Sequence, residues 1–228
     1  MKVNITEVII RLILTAVGFG VVLFLPAGTL NWIAAWVYLV LLFGFTIGIS
    51  VWLSRFNPDL LEERMRGIDK PGQKSWDKIF LVVLLPVFFG WYVVMALDAV
   101  RFQWSQMPRW LQWLGAGILL ASFYIFYLTF RENTYLSPAV RIQSDRGQTV
   151  VSTGPYRHVR HPLYAGFVLF TVGTALLLGS AYGLFGALVL SALIAWRATR
   201  EEQVLQRELA GYGEYMARVK YRFFPYVW

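Results

Sequence analysis

Six long apolar runs constrain the fold of this 228-residue sequence more than any other feature. They cover residues 8–25, 32–53, 79–97, 110–130, 163–179 and 182–196. A helix needs about 20 apolar residues to cross the hydrocarbon core of a bilayer, and the first four runs meet that requirement. The last two runs have only 17 and 15 residues. We therefore predict that they form a short helical hairpin that turns at Ser180 and Ala181.

Helices are the spanning element that this composition favours. Unpaired backbone groups are costly in lipid, so only helices and closed barrels cross a membrane. No run alternates polar and apolar residues as barrel strands do. Hydrophobic residues make up 57% of the chain and charged residues 15%. We predict an all-α, polytopic integral membrane protein with about six transmembrane helices, in which the last two form the short hairpin and a cytoplasmic amphipathic helix follows them.

The distribution of basic residues predicts the orientation, because cytoplasmic loops carry an excess of Lys and Arg. Residues 54–78, residues 131–162 and the tail from residue 197 carry six, five and six of the 21 basic residues. The connections between them carry none or two. We therefore predict that both termini face the cytoplasm. The net charge of +8 is then explained by topology and by contact with anionic membrane lipids, and it gives no support to nucleic acid as a partner.

Several common kinds of site are not indicated by the sequence. The chain has no cysteine, and the two histidines, His158 and His161, lack acidic residues at metal-ligand spacing, so we expect no metal site. No G-x-S-x-G elbow of a serine hydrolase is present. Gly115 and Gly117 lie inside an apolar run, where we expect them to permit close helix packing rather than nucleotide binding.

Two polar segments lie at the cytoplasmic ends of the last two runs. The first, GPYRHVRHPLYAG, covers residues 154–166, and Pro162 suits the first position of a helix with His161 at its N-cap. The second, WRATREEQVL, covers residues 196–205, and places Arg197 and Glu201 four apart on one helix face. A tight hairpin brings the two segments together. The alternative interpretation is that these side chains are interfacial anchors and an ordinary surface pair.

These segments together resemble the isoprenylcysteine carboxyl methyltransferase family. The matching pattern is STGPYRHVRHPLYAG, then R-x-x-x-E-E-x-x-L from residue 197, then the paired tyrosines at 212 and 215 and a terminal FFPY. The resemblance covers about residues 133–226, and the family belongs to a wider group that includes phospholipid N-methyltransferases. One departure is Leu209-Ala210-Gly211, where the family has Phe-Gly before the tyrosines.

The resemblance implies a cofactor, S-adenosyl-L-methionine, and a set of residues for its site. The implied cofactor-binding residues are Gln148, Thr149, Val150, Val151, Tyr156, His161, Pro162, Leu163, Tyr164 and Glu201. The implied catalytic residues are Arg197, which handles the methyl acceptor, with Glu201 and Glu202, which could exchange roles. Residues 1–131 then form a four-helix membrane region and residues 132–228 a cofactor-binding catalytic region within one membrane domain.

The predicted acceptor is lipophilic, and its reacting group is a carboxylate. A carboxylate is ionised at neutral pH and needs no general base, and Arg197 is suited to bind it. A lipid amine must first lose a proton, which His161 or a glutamate would have to accept. We expect the protein in an inner membrane or a membrane of the endoplasmic-reticulum type, with the active site facing the cytoplasm.

Three alternatives stay open at this point. Phospholipid N-methylation uses the same cofactor with an amine acceptor such as phosphatidylethanolamine. A membrane reductase that uses NADPH would bind the phosphates through arginines such as Arg157, Arg160 and Arg200. A non-enzymatic membrane scaffold would use both polar segments as anchors. The sequence does not indicate an oligomeric state.

Overall fold

The computed structural model of the protein describes residues 5–67 and 70–228, and these ranges contain helices and no strands. The α-helices in this part of the chain are α1 (Ile5–Ala27), α2 (Ile33–Phe56), α3 (Pro58–Met65), α4 (Ser75–Ala96), α5 (Arg109–Glu132), α6 (Pro162–Leu178), α7 (Ala181–Glu208) and α8 (Tyr212–Arg218). A π-helical turn, Leu97–Arg101, extends α4. The all-α prediction is confirmed.

Five helices, α1, α2, α4, α5 and α7, are long and apolar enough to cross a membrane, and α6 is a shorter apolar helix of 17 residues. Their number agrees with the prediction of about six transmembrane helices. Much of their apolar surface faces outward, for example at Leu14, Val40 and Leu188, which are each exposed by 65% or more. Such an exposed apolar surface is stable in lipid and unstable in water. The chain is therefore a polytopic membrane protein.

The predicted hairpin is present, and its second arm is longer than the apolar run 182–196 that marked it. The turn lies where it was predicted, since Gly179 has a φ of 79° and Ser180 caps α7 through a bond from the Gly183 N–H. The second arm, however, runs without a break to Glu208 and is 28 residues long. Polarity changes at Arg197, but no Gly or Pro follows until Gly211. A change in polarity marks a membrane boundary and does not end a helix.

Close packing of α5 against α6 depends on two glycines. A Cβ at Gly173 would lie 2.7 Å from the backbone nitrogen of Leu119, and one at Gly115 would meet the Gly173 oxygen at 2.8 Å and the backbone nitrogen of Leu177. A Cβ at Gly117 would have nothing within 4 Å. The packing role predicted for Gly115 is confirmed, and the same prediction for Gly117 is wrong because that residue faces away from α6.

We expect Gly115→Ala to lower the thermal midpoint of the protein in detergent, whereas Gly117→Ala keeps or raises it. The methyl group at 115 forces the two backbones apart, and such overpacking typically costs about 1–3 kcal/mol. At position 117 the methyl group has room, and alanine favours a helix over glycine by up to about 1 kcal/mol. Thermal unfolding of both variants in one detergent tests this, and equal midpoints would contradict the assigned packing.

The two ends of the helical bundle are organised by different polar clusters. At one end, the fully buried Asp98 accepts hydrogen bonds from the Ser105 hydroxyl at 2.6 Å and the Ser180 hydroxyl at 2.5 Å. These bonds tie the connection between α4 and α5 to the turn between α6 and α7. The opposite end carries α3, the long segment between α5 and α6, and the last part of α7. It is this opposite end that holds the predicted site.

Candidate functional site

A cavity opens at the end of the bundle where α6 begins and α7 leaves the apolar core. Its walls come from residues 133–151, from the first turn of α6, from the last third of α7 and from α8. Of the residues predicted for the site, those that line the cavity are Gln148, Thr149, Val150, Val151, Tyr156, His161, Leu163, Tyr164, Arg197 and Glu201. Pro162 and Glu202 are both buried and do not line it.

The start of α6 follows the sequence pattern. His161 is the N-cap residue and Pro162 the first helical residue, as predicted. The preceding backbone is held by the C-terminal tail, because the Arg160 N–H donates to the Tyr221 oxygen and the His161 N–H to the Arg222 oxygen, both at 2.9 Å. The tail thereby fixes the motif that borders the cavity.

Glu202 is the centre of a buried ion cluster behind the cavity. Its Oε1 accepts from Arg160 Nε at 2.6 Å and contacts His161 Nε2 at 3.1 Å, while its Oε2 accepts from Arg222 Nε at 2.9 Å. Only 4% of its side chain is exposed. Arg160 also donates to the backbone oxygen of Val219 at 2.7 Å. These contacts join α7, the motif before α6 and the C-terminal tail.

Glu201, one residue earlier, has a different environment. Its side chain lines the cavity and is half-buried, and its Oε2 accepts a hydrogen bond of 2.6 Å from the Tyr164 hydroxyl. Among the residues that the structure describes, no cation lies within ion-pair distance of it. The two adjacent glutamates are therefore not equivalent: Glu201 presents a carboxylate to the cavity, whereas Glu202 uses both of its oxygens for protein contacts.

Arg197 lines the cavity, but its guanidinium is held by protein groups. Nε donates to the Asp77 carboxylate at 2.9 Å, Nη1 to the Tyr164 hydroxyl at 2.9 Å, and Nη2 to the Pro138 oxygen at 2.7 Å. Its predicted role as the acceptor ligand stays a prediction. The geometry gives it a positioning role, since Arg197 orients the same Tyr164 hydroxyl that contacts Glu201.

Asp77, in the first turn of α4, belongs to this site although nothing in the sequence identifies it. It is fully buried, and its second oxygen, Oδ2, accepts from the Val140 N–H at 2.8 Å and from Gln73 Nε2 at 2.9 Å. Acidic residues are common in the first turn of a helix because they interact favourably with the helix dipole. The position of Asp77 in the sequence therefore does not indicate a site. Its partner Arg197 lies 120 residues away in sequence, so no local pattern reveals the pair.

A second ion cluster outside the predicted site holds the segment before the motif. Glu63 contacts Lys70 at 2.8 Å, Arg141 at 3.2 Å and the Ser137 hydroxyl at 3.0 Å. Burial raises the pKa of Glu63, but the hydrogen bonds from Lys70, Arg141 and Ser137 outweigh it and lower the pKa to about 2. Glu63 is therefore ionised at neutral pH and fixes the wall of the cavity to the connection after α3.

Tyrosines form an aromatic side of the cavity. The Tyr156 hydroxyl accepts from Asn133 Nδ2 at 2.8 Å, and the Tyr215 hydroxyl donates to the Tyr156 backbone oxygen at 2.8 Å. Tyr212 packs on Tyr215 with ring centroids 5.7 Å apart. Burial raises the pKa of all three phenols above the usual value, so they are neutral. Neutral aromatic faces beside a carboxylate suit a flat ring or a cation.

Comparison with known proteins gives two findings. The chain is 35% identical to the mouse (Mus musculus) Delta(14)-sterol reductase over 107 residues, which are 44% of this chain and 25% of the reductase. The chain thus spans about a quarter of the length of that relative. Residues 113–207 match the family model of the isoprenylcysteine carboxyl methyltransferase family. This match confirms the resemblance predicted from the motifs: residues 113–207 are similar to the isoprenylcysteine carboxyl methyltransferase family.

Proposed function

We propose that the protein transfers a methyl group from S-adenosyl-L-methionine to the carboxylate of a lipophilic, prenylcysteine-like acceptor. The observation that carries this proposal is Glu201. Its carboxylate faces a cavity at the end of a membrane bundle, without a cationic partner among the described residues, inside the segment that matches the family. A carboxylate in such a position attracts a ligand cation.

The residues around the cavity fit the chemistry of this cofactor. S-adenosylmethionine has a sulfonium, an ammonium, a carboxylate and an adenine, and when bound it supplies an electrophilic methyl group. Glu201 would hold a cationic group through charge, and the neutral rings of Tyr156 and Tyr212 offer faces for the adenine. The segment 148–151 would cover the cofactor from the cavity wall that it forms.

A carboxylate acceptor agrees with the proton-accepting groups that are present. A carboxylate is already ionised at neutral pH, so the protein has only to hold it in line with the methyl group and exclude water. An amine acceptor requires a base. His161 Nε2 contacts Glu202 at 3.1 Å, and Glu202 in turn is bound by two arginines, so both groups are engaged within the protein. Glu201, the carboxylate that faces the cavity, is assigned to the cation of the cofactor.

The membrane bundle supports a lipophilic acceptor. The cavity lies where α6 and α7 leave the apolar core, so an acceptor with a hydrophobic tail in the bilayer could reach it with its polar end. We propose an inner membrane or one of the endoplasmic-reticulum type, with the site and both termini on the cytoplasmic side, because the connections at this end carry most of the Lys and Arg residues.

Calorimetric titration of detergent-solubilised protein with S-adenosylmethionine tests the proposal. We expect the parent protein to bind the cofactor and Glu201→Gln to bind it roughly 10–100-fold more weakly, since a charge-assisted contact is lost. The amide oxygen of glutamine can still accept from Tyr164, so the fold should be kept. Glu208→Gln is the matched control on the same helix, because its carboxylate lies on the surface, where it pairs with Lys74. A folded parent protein that binds no S-adenosylmethionine would refute the proposal.

A reductase activity is the second candidate, and the match to the sterol reductase is the observation that favours it. Titration with NADPH in the same series separates the two, because a protein that binds NADPH alone supports reduction. Among methyltransferases, transfer of labelled methyl groups to a prenylcysteine analogue or to phosphatidylethanolamine decides the acceptor. A methylated headgroup would overturn the carboxylate assignment.

A further inference from the structure

Arg64, at the end of α3, lines the same cavity, although it lies outside the segment that matches the family. Its Nη1 donates to the Leu136 backbone oxygen at 3.1 Å, and its guanidinium lies 4.8 Å from the centroid of the Phe130 ring. Within residues 5–67 and 70–228, no carboxylate lies within ion-pair distance of it. Nε and Nη2 have no acceptor among these residues either.

Arg64 differs from every other basic side chain along the cavity in having no carboxylate partner among the described residues. Each of the others has a carboxylate partner within 3.2 Å: Arg141 with Glu63 and Asp145, Arg160 and His161 with Glu202, and Arg197 with Asp77. Arg64 is thus the cation at the cavity that the described part of the chain leaves without a counter-charge.

Arg64 is half-buried, and a guanidinium that is partly removed from water without a counter-charge is unfavourable for folding. Burial lowers the pKa of Arg64 to about 10, so the side chain stays charged at neutral pH. The remaining donors form a planar fork, which suits the two oxygens of a carboxylate better than a single atom. An uncompensated charge kept at a ligand cavity is explained when the ligand supplies the opposite charge.

We infer that Arg64 binds a carboxylate of the ligand in this cavity. Together with Glu201, it gives the cavity one unpaired cation and one unpaired anion among the described residues, which suits a ligand that carries both charges. The inference rests on the proposed function, which offers two sources of a carboxylate: the methionine part of the cofactor and the reacting group of the acceptor. Both present the same chemistry to Arg64.

Calorimetry with four ligands distinguishes these sources without any turnover. The ligands are S-adenosylmethionine, its decarboxylated analogue, a prenylcysteine and the corresponding carboxamide. We expect Arg64→Gln to lower the affinity for one of the two carboxylate-bearing ligands roughly 10–100-fold. The affinity for the corresponding ligand without the carboxylate should be unchanged. Arg64→Lys, which keeps the charge but not the fork, should recover part of the affinity. Arg66→Gln is the matched control, since Arg66 lies on the surface and pairs with Glu62.

Each outcome decides the assignment. A selective loss of affinity for S-adenosylmethionine identifies the cofactor carboxylate as the group that Arg64 binds. A selective loss of affinity for the prenylcysteine identifies the acceptor carboxylate instead. Equal weakening of all four ligands would show that Arg64 acts only through Leu136 and Phe130, and it would overturn the inference, as would unchanged affinities. A parent protein that binds the prenylcysteine but no S-adenosylmethionine would refute the proposed function while still testing Arg64. A parent protein that binds none of the four would refute both.

Discussion

Glu202→Gln is expected to lower the thermal midpoint of the protein far more than Glu201→Gln. The Glu202 carboxylate is the shared acceptor for Arg160, His161 and Arg222. A glutamine there removes the charge that balances these groups and turns one of its two acceptors into a donor. Removing one partner of a buried ion pair typically costs about 3–5 kcal/mol, which corresponds to a fall of roughly 6–20 °C for a chain of this size.

Thermal unfolding in one detergent, followed by the fluorescence of the intrinsic tryptophans, measures this difference. Glu201→Gln is the matched control, because it makes the same chemical change one residue away. It keeps a hydrogen bond from Tyr164 and should shift the midpoint little. If both variants lose the same amount of stability, the division into a ligand-facing and a structural glutamate is wrong.

The helices could be predicted from the sequence because lipid imposes a simple rule on them. Apolar runs of sufficient length must be helical, and charged residues between them mark the connections. The rule fails at the ends of helices, as α7 shows. Beyond Trp196 the chain becomes polar but contains no residue that breaks a helix, so α7 continues to Glu208. Hydrophobicity predicts where a helix leaves the membrane, and only turn-forming residues predict where it stops.

From the sequence, the residues that line the cavity could be predicted only where they belong to a local motif. Residues 148–164 and the pair Arg197 and Glu201 carry a recognisable spacing, and ten of the predicted residues line the cavity. The motif does not show, however, toward which side of the helix each side chain points. Glu201 and Glu202 are adjacent and chemically identical, and only packing against α6 and the C-terminal tail turns one toward the cavity and the other toward Arg160.

The residues missed by the sequence share one property: their partners are distant along the chain. Glu63 meets Arg141 across 78 residues, and Arg64 meets Leu136 across 72. In the sequence, each resembles an ordinary charged residue of a polar connection between apolar runs. Their contacts bring the connection after α3 onto the wall of the cavity, so the first half of the chain takes part in building the site although no motif there indicates it.

Asp77→Asn is expected to be the second strongly destabilising change, because Asp77 accepts hydrogen bonds through both oxygens. Oδ1 accepts from Arg197 and Oδ2 from Gln73 and Val140. Whichever way an asparagine turns, its amide nitrogen faces a donor, and the charge that balances Arg197 is lost. The cost should again be about 3–5 kcal/mol, seen as a lower thermal midpoint. Cofactor affinity should fall as well, because Arg197 orients the Tyr164 hydroxyl that contacts Glu201.

A double-mutant cycle with Arg197→Met separates the loss of the pair from the loss of a single residue. If Asp77 serves mainly to balance Arg197, the double variant should be no less stable than Asp77→Asn alone, since the unpaired buried charge is then removed. Strictly additive losses would contradict a direct pair. Asp59→Asn, an exposed acid in the first turn of α3, is the control for loss of a carboxylate near a helix start, and it should change the midpoint by little.

The pair of Asp77 and Arg197 joins α4, which lies outside the matched segment, to the centre of the site. Its removal therefore tests whether the N-terminal helices hold the site in shape or merely anchor it in the membrane.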